Sequence, residues 1–107
     1  MIRGTTPTFT LNMLDETLDL RQAVNVYATF RQRETLLTKT DLDITVTQES
    51  EYLRNTVLVY LTQEESLKFN AGSIEVQLNW TYADGSRACS NIVTIAVSNN
   101  LEGRVLE

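Results

Sequence analysis

Between Ile74 and Tyr82 the chain alternates without a break. Ile74, Val76, Leu78, Trp80 and Tyr82 are apolar or aromatic, and Glu75, Gln77, Asn79 and Thr81 are polar. Successive side chains of a strand point to opposite faces, so the pattern specifies a strand with one dry and one wet face. Ala83-Asp84-Gly85-Ser86 follows. Asp-Gly supplies the positive φ angles that a tight hairpin turn requires, so a second strand over 87–98 is expected to return beside the first. On it Cys89, Val93, Ile95 and Val97 fall in one phase, with Ser90, Ile92, Thr94 and Ala96 in the other. That phase predicts a buried, inert thiol at Cys89.

Weaker runs precede the hairpin. Phe9, Leu11 and Met13 alternate with Thr8, Thr10 and Asn12; Val24, Val26, Ala28 and Phe30 alternate with Asn25, Tyr27, Thr29 and Arg31; Leu42, Ile44 and Val46 alternate with Asp43, Thr45 and Thr47. Residues 34–39 are expected to pair back on the 24–32 strand, although adjacent Leu36 and Leu37 blur the period. Residues 56–61 are apolar on both faces. Fifteen threonines sit among Val, Ile, Leu and Tyr, a mixture that packs well on a pleated surface. Thr62-Gln63-Glu64-Glu65 matches the capping box, so a short helical turn is expected near 62–69, ended by Asn70-Ala71-Gly72. Such a turn can cross between sheets with Leu67 and Phe69 plugging the end of the core. About seven strands with regular turn signals predict an all-β fold, a single immunoglobulin-like antiparallel β-sandwich over 1–107, with 1–7 and 99–107 as extended terminal arms. A chain of 107 residues is long enough for one such core.

Chemistry is constrained mainly by what is missing. There is no histidine, which removes the commonest general base and metal ligand. A single cysteine makes neither a disulfide nor a CxxC site. The pairs Glu49/Glu51 and Glu64/Glu65 read as solvated turn charge rather than as a catalytic dyad. Asp41, Asp43 and Glu49 lack calcium-loop spacing, and the four glycines never cluster into a phosphate loop. No enzyme, metal or other cofactor is therefore expected. Nine basic against fourteen acidic residues leave a net charge of −5 with the cations scattered, which argues against nucleic acid. No apolar run approaches membrane-spanning length, and the first seven residues lack a signal peptide's apolar core, so no membrane partner and cytoplasmic synthesis are expected.

Several apolar residues fall out of phase with the core. If Val57, Val59 and Leu61 face inward, Leu58 and Tyr60 face out; Tyr27 and Ile92 are likewise outward. The arms add Ile2, Leu101, Val105 and Leu106, which are too few to shelter themselves. Together these eight residues form a candidate interface, since grouped exposed apolar side chains mark contact surfaces, whereas scattered ones carry no meaning. Trp80, in the dry phase, reads as core rather than as a sugar platform.

The opening Ile2-Arg3-Gly4-Thr5-Thr6-Pro7-Thr8, the segment 61–69, the stretch 74–80 followed by Asp84-Gly85, and the closing segment 101–106 resemble a family of small proteins encoded in the structural gene clusters of phages and prophages of Gram-positive gut bacteria. The resemblance spans nearly the whole chain. It implies a non-enzymatic virion component of tail, baseplate or head decoration, assembled with other virion proteins; the outward apolar residues and the arms add the expectation of a homo-oligomer. It carries over no catalytic residue. Cys89 and Ser90 depart from the family's small residues after the hairpin, a departure expected to leave the fold untouched. The alternative is a carbohydrate- or host-surface-binding module in which Tyr27 or Tyr60 stacks on a glycan.

Overall fold

The alternating segment lies at the centre of the molecule. In the computed structural model, which describes residues 1–107, it is the longest strand, and the chain runs as β1 (Thr8–Asp15), a 3₁₀ turn (Leu20–Gln22), β2 (Asn25–Gln32), β3 (Thr35–Lys39), β4 (Asp43–Glu49), β5 (Tyr52–Tyr60), α1 (Gln63–Leu67), β6 (Gly72–Thr81), β7 (Arg87–Cys89) and β8 (Val93–Val97). One antiparallel sheet has the order β1-β5-β4. The other has the order β3-β2-β6, with both β7 and β8 pairing along the far side of β6. Alternate side chains of the two sheets enclose one core of thirteen buried hydrophobic residues, including Phe30, Val57, Val59, Phe69, Ile74, Leu78 and Trp80. Phe9 of one sheet, Phe30 of the other and Phe69 form a row of tilted rings, with centroids 5.4 Å and 6.4 Å apart. Both separations lie within aromatic contact range, so this row joins the two layers. No helix is long and apolar enough to cross a membrane.

The hairpin forms as expected, with one difference in its loop. The Tyr82 amide donates to Ser86 O and the Gly85 amide to Tyr82 O, both at 3.0 Å, so the loop has three residues. Only Gly85 is left-handed there (φ +87°), the geometry of a type I turn followed by a glycine bulge. Asp84 serves instead through its carboxylate, which accepts from the Ser86 amide at 2.8 Å and hydroxyl at 2.6 Å.

The return strand is corrected more substantially. It is two strands separated by a bulge. Ala88 stands opposite Trp80 and Val93 opposite Val76, so five steps on one strand match four on the other. One extra residue reverses the phase of the side chains. Cys89 therefore shares the wet face with its partner Asn79 and is exposed, against the buried thiol expected. Ser90 holds the bulge. Its amide donates to Leu78 O at 2.9 Å, and its hydroxyl accepts from the Leu78 amide at 3.0 Å in place of a ladder carbonyl.

α1 crosses from β5 to β6 as expected. Thr62 Oγ1 accepts from the Glu65 amide at 3.2 Å and Glu65 Oε1 from the Thr62 amide at 2.9 Å, the complete capping box. Residues 1–7, expected as an extended arm outside the sandwich, instead turn at Arg3-Gly4, where the Thr5 amide donates to Ile2 O at 3.3 Å and Gly4 has φ +80°, and dock on its lower end. Ile2 forms a parallel bridge with Ser98, and the Met1 ammonium donates to Ala96 O at 2.8 Å. Arg3 donates to Phe69 O and, at 3.1 Å, to Leu67 O, satisfying carbonyls left free at the end of α1. The buried Ser66 hydroxyl accepts from the Gly4 amide at 3.0 Å and donates to Thr5 O at 2.8 Å. Polar groups that a free arm would leave to water are paired here within the chain.

Candidate functional site

The eight candidate interface residues do not form one patch. Leu58 and Tyr60 lie on the outer face of the three-stranded sheet, opposite Thr10 and Thr8. Tyr27 lies on the outer face of the other sheet, opposite Asn79, and Ile92 borders a shallow groove of about 230 Å³ on that same side. Ile2 sits at the lower end beside Ser98, while Leu101, Val105 and Leu106 are exposed along the final segment. Two opposed faces and one end thus share what the sequence grouped together.

The outer face of the three-stranded sheet is largely engaged with itself. Tyr60 Oη donates to Asp43 Oδ2 at 2.7 Å, and this hydrogen bond is the main reason its phenol titrates above the usual range. Thr56 Oγ1 donates to Asn12 Oδ1 at 2.9 Å. Arg54 forks onto Glu49 at 2.7 and 3.0 Å, and that bidentate pair holds the Glu49 carboxyl below the ordinary value. On the opposite face Arg31 pairs with Glu75 at 2.8 Å and Arg87 donates to Asn79 at 3.0 Å. Of the carboxylates weighed for chemistry, Asp41 also has a cation, Lys39, at 3.5 Å.

A wider concavity than that groove lies elsewhere. β1 forms one margin of its sheet, and the β7–β8 strand forms one margin of the other. Between them the sandwich stays open as a cleft of about 840 Å³. Leu11, Met13, Val76, Leu78 and Trp80 contribute its apolar floor, and Leu14 and Val93, both about half exposed, stand at its rim. Asp15 closes its upper end by accepting from the Thr17 and Leu18 amides at 2.8 and 2.9 Å, bonds that lower its pKa. The sequence reading missed this cleft. Its only trace was a pair of apolar doublets, Met13-Leu14 and Ile92-Val93, where alternation lapses.

Two structural sites were missed as well. Asn55, fully buried on β5, accepts from the Leu20 amide at 2.9 Å and donates to Leu18 O at 2.9 Å, binding the β1–β2 connection to the sheet. Lys39 Nζ lies 2.9 Å from both oxygens of Glu65. Burial opposes charge on each of the two, yet their mutual hydrogen bond prevails, raising the Lys39 pKa and lowering that of Glu65.

Compared with known proteins, the chain matches no family model, no curated protein and no solved structure.

Proposed function

We propose that this chain is a non-enzymatic virion structural protein, an immunoglobulin-like building block that acts by assembling with copies of itself and with other virion proteins. The observation that carries the reading is the open cleft flanked by sheet margins, in a chain whose final segment exposes Leu101, Val105 and Leu106. Apolar surface left by a closed sandwich gains roughly 25 cal/mol per Å² when a neighbour covers it. Repetition around a symmetric particle then multiplies a modest contact into a stable assembly.

Strand order supports the immunoglobulin-like part. If β1 is taken as the second strand of such a sandwich, β2 to β6 and the β7–β8 strand follow in its usual arrangement, with β3 as the added strand of the variable type. On that reading the place beside β1 belongs to the first strand, whereas residues 1–5 dock on β8 and α1. A glycan-binding module is less well supported, because neither Tyr27 nor Tyr60 lines the cleft or the shallow groove.

The test is co-assembly. The purified chain is mixed with the other virion proteins encoded beside it, and particles are separated by sedimentation. The chain is expected to travel with the particles at a fixed stoichiometry. A chain that remains in the supernatant and binds a glycan array instead would overturn the proposal.

A further inference from the structure

Each sheet margin was compared for its resistance to pairing with another chain, since an unpaired row of N–H and C=O groups is a template for strand addition. β3 is five residues long and ends in Lys39. β4 is charged at both ends by Asp43 and Glu49. The β7–β8 margin is broken by its bulge, and Met1–Arg3 covers its lower end. β1 has no such protection. It runs for eight residues without proline, lysine or bulge, and its only charge is Asp15 at the last position. The Leu61 amide donates to Pro7 O at 3.1 Å, which makes 7 and 61 a hydrogen-bonded pair. In an antiparallel ladder such pairs alternate, so the backbone groups of Thr8, Thr10, Asn12 and Leu14 point away from β5, toward the open side.

We infer that residues 99–107 of a second copy add to the free margin of β1 as a strand and lay Leu101 and Val105 into the cleft. This rests on the assembly reading above and names its contact. Length agrees: nine extended residues span about 30 Å and the eight of β1 about 26 Å. Pattern agrees: in an extended chain Leu101, Gly103 and Val105 share one side, with Glu102, Arg104 and Leu106 on the other. The segment is also available. All of 101–107 is exposed, and beyond Asn100 its ties to the rest of the molecule are two hydrogen bonds between Gln63 and the Leu106 backbone.

A second copy is favoured over the chain's own tail. The tail leaves β8 at the lower end, where Ile2 and Arg3 already occupy the margin between its root and the cleft, and it turns instead toward Gln63 on α1. The tail is favoured over a second β1. In a β1–β1 pair the partner's Phe9, Leu11 and Met13 face the partner's own interior, so no side chain would enter this cleft.

The test uses the full chain. Its mass is measured by light scattering over a wide concentration range, and a labelled peptide of residues 99–107 is titrated into it. Thr10→Pro removes one outward N–H and leaves the β1–β5 ladder intact. Leu101→Asp with Val105→Asp alters residues exposed in the single molecule, so it leaves the fold untouched; circular dichroism checks both variants. Assembly that grows with concentration is expected for the unaltered chain; Thr10→Pro is expected to shift it to roughly tenfold higher concentration, and the Leu101→Asp/Val105→Asp chain to stay monomeric. The peptide is expected to bind the Leu101→Asp/Val105→Asp chain saturably, and roughly tenfold more weakly once Thr10→Pro is added. A chain that is monomeric throughout overturns this inference and self-assembly with it. Assembly indifferent to the substitutions, or a peptide that does not bind, overturns the inference and leaves self-assembly standing.

Discussion

Asn55 shows how much one polar side chain can hold. It sits in phase with Val57 and Val59 on the dry side of β5, where a hydrophobic residue would be routine, and it satisfies an amide and a carbonyl that the β1–β2 connection brings inside. Asn55→Leu would strand the Leu20 amide and the Leu18 carbonyl. A loss of about 3 kcal/mol is expected, measured by urea unfolding. The sequence held a hint of this role, a polar residue at a dry position, but which groups it serves depends on a connection whose path no periodicity encodes. Glu65 was legible as a cap and not as the counter-ion of Lys39, because the two are brought together only by β3 folding back. Its folded pKa lies below the ordinary 4.5, so its contribution is complete above that value and is lost as pH falls through the lower folded value. Glu65→Gln is expected to cost about 2 kcal/mol at neutral pH and to flatten the decline in stability below pH 4.5; unfolding curves taken across that range check both.

Among the elements, the strands with one wet and one dry face were readable, and so was the capped turn, because each rests on local chemistry. The hairpins β2–β3 and β4–β5 turn at Arg33 and Ser50, which hold positive φ values of 53° and 55° without being glycine. That conformation crowds a side chain, so Ser50→Gly is expected to raise stability by about 0.5–1 kcal/mol, seen as a higher melting temperature with an unchanged spectrum. The bulge was not readable. From Cys89 to Val93 is an even number of steps, so a smooth strand fits the spacing as well as a broken one does. Only pairing with β6 shows that Ala88, rather than Cys89, faces inward.

At the scale of the molecule the chain is drawn out. Its radius of gyration is 15.2 Å and its extents are 46 × 29 × 25 Å, whereas a compact domain of this length has a radius near 13 Å. The open cleft and the exposed final segment, held only by its hydrogen bonds to Gln63, both belong to that shape. The sequence made the surplus of outward apolar residues visible, yet it could not assign Leu58 and Tyr27 to opposite faces, which depends on which strands adjoin. With thirteen residues in the core, a single copy is expected to be only modestly stable. If copies cover one another, the unfolding midpoint rises with protein concentration; a tenfold dilution series in calorimetry reads this directly.

The bulge at Ser90 has one more consequence, for how this protein can vary in length. Removing Asn91 would let Ala88 keep Trp80 and Val93 keep Val76, since the two strands would then count the same number of steps. The shortened chain is expected to fold with a more regular ladder and yet to precipitate sooner, as light scattering on ageing solutions would record, because a straight, uninterrupted border would replace a crooked one. Here a tidier sheet makes a less soluble protein, and the irregular residue is worth keeping for the company it turns away.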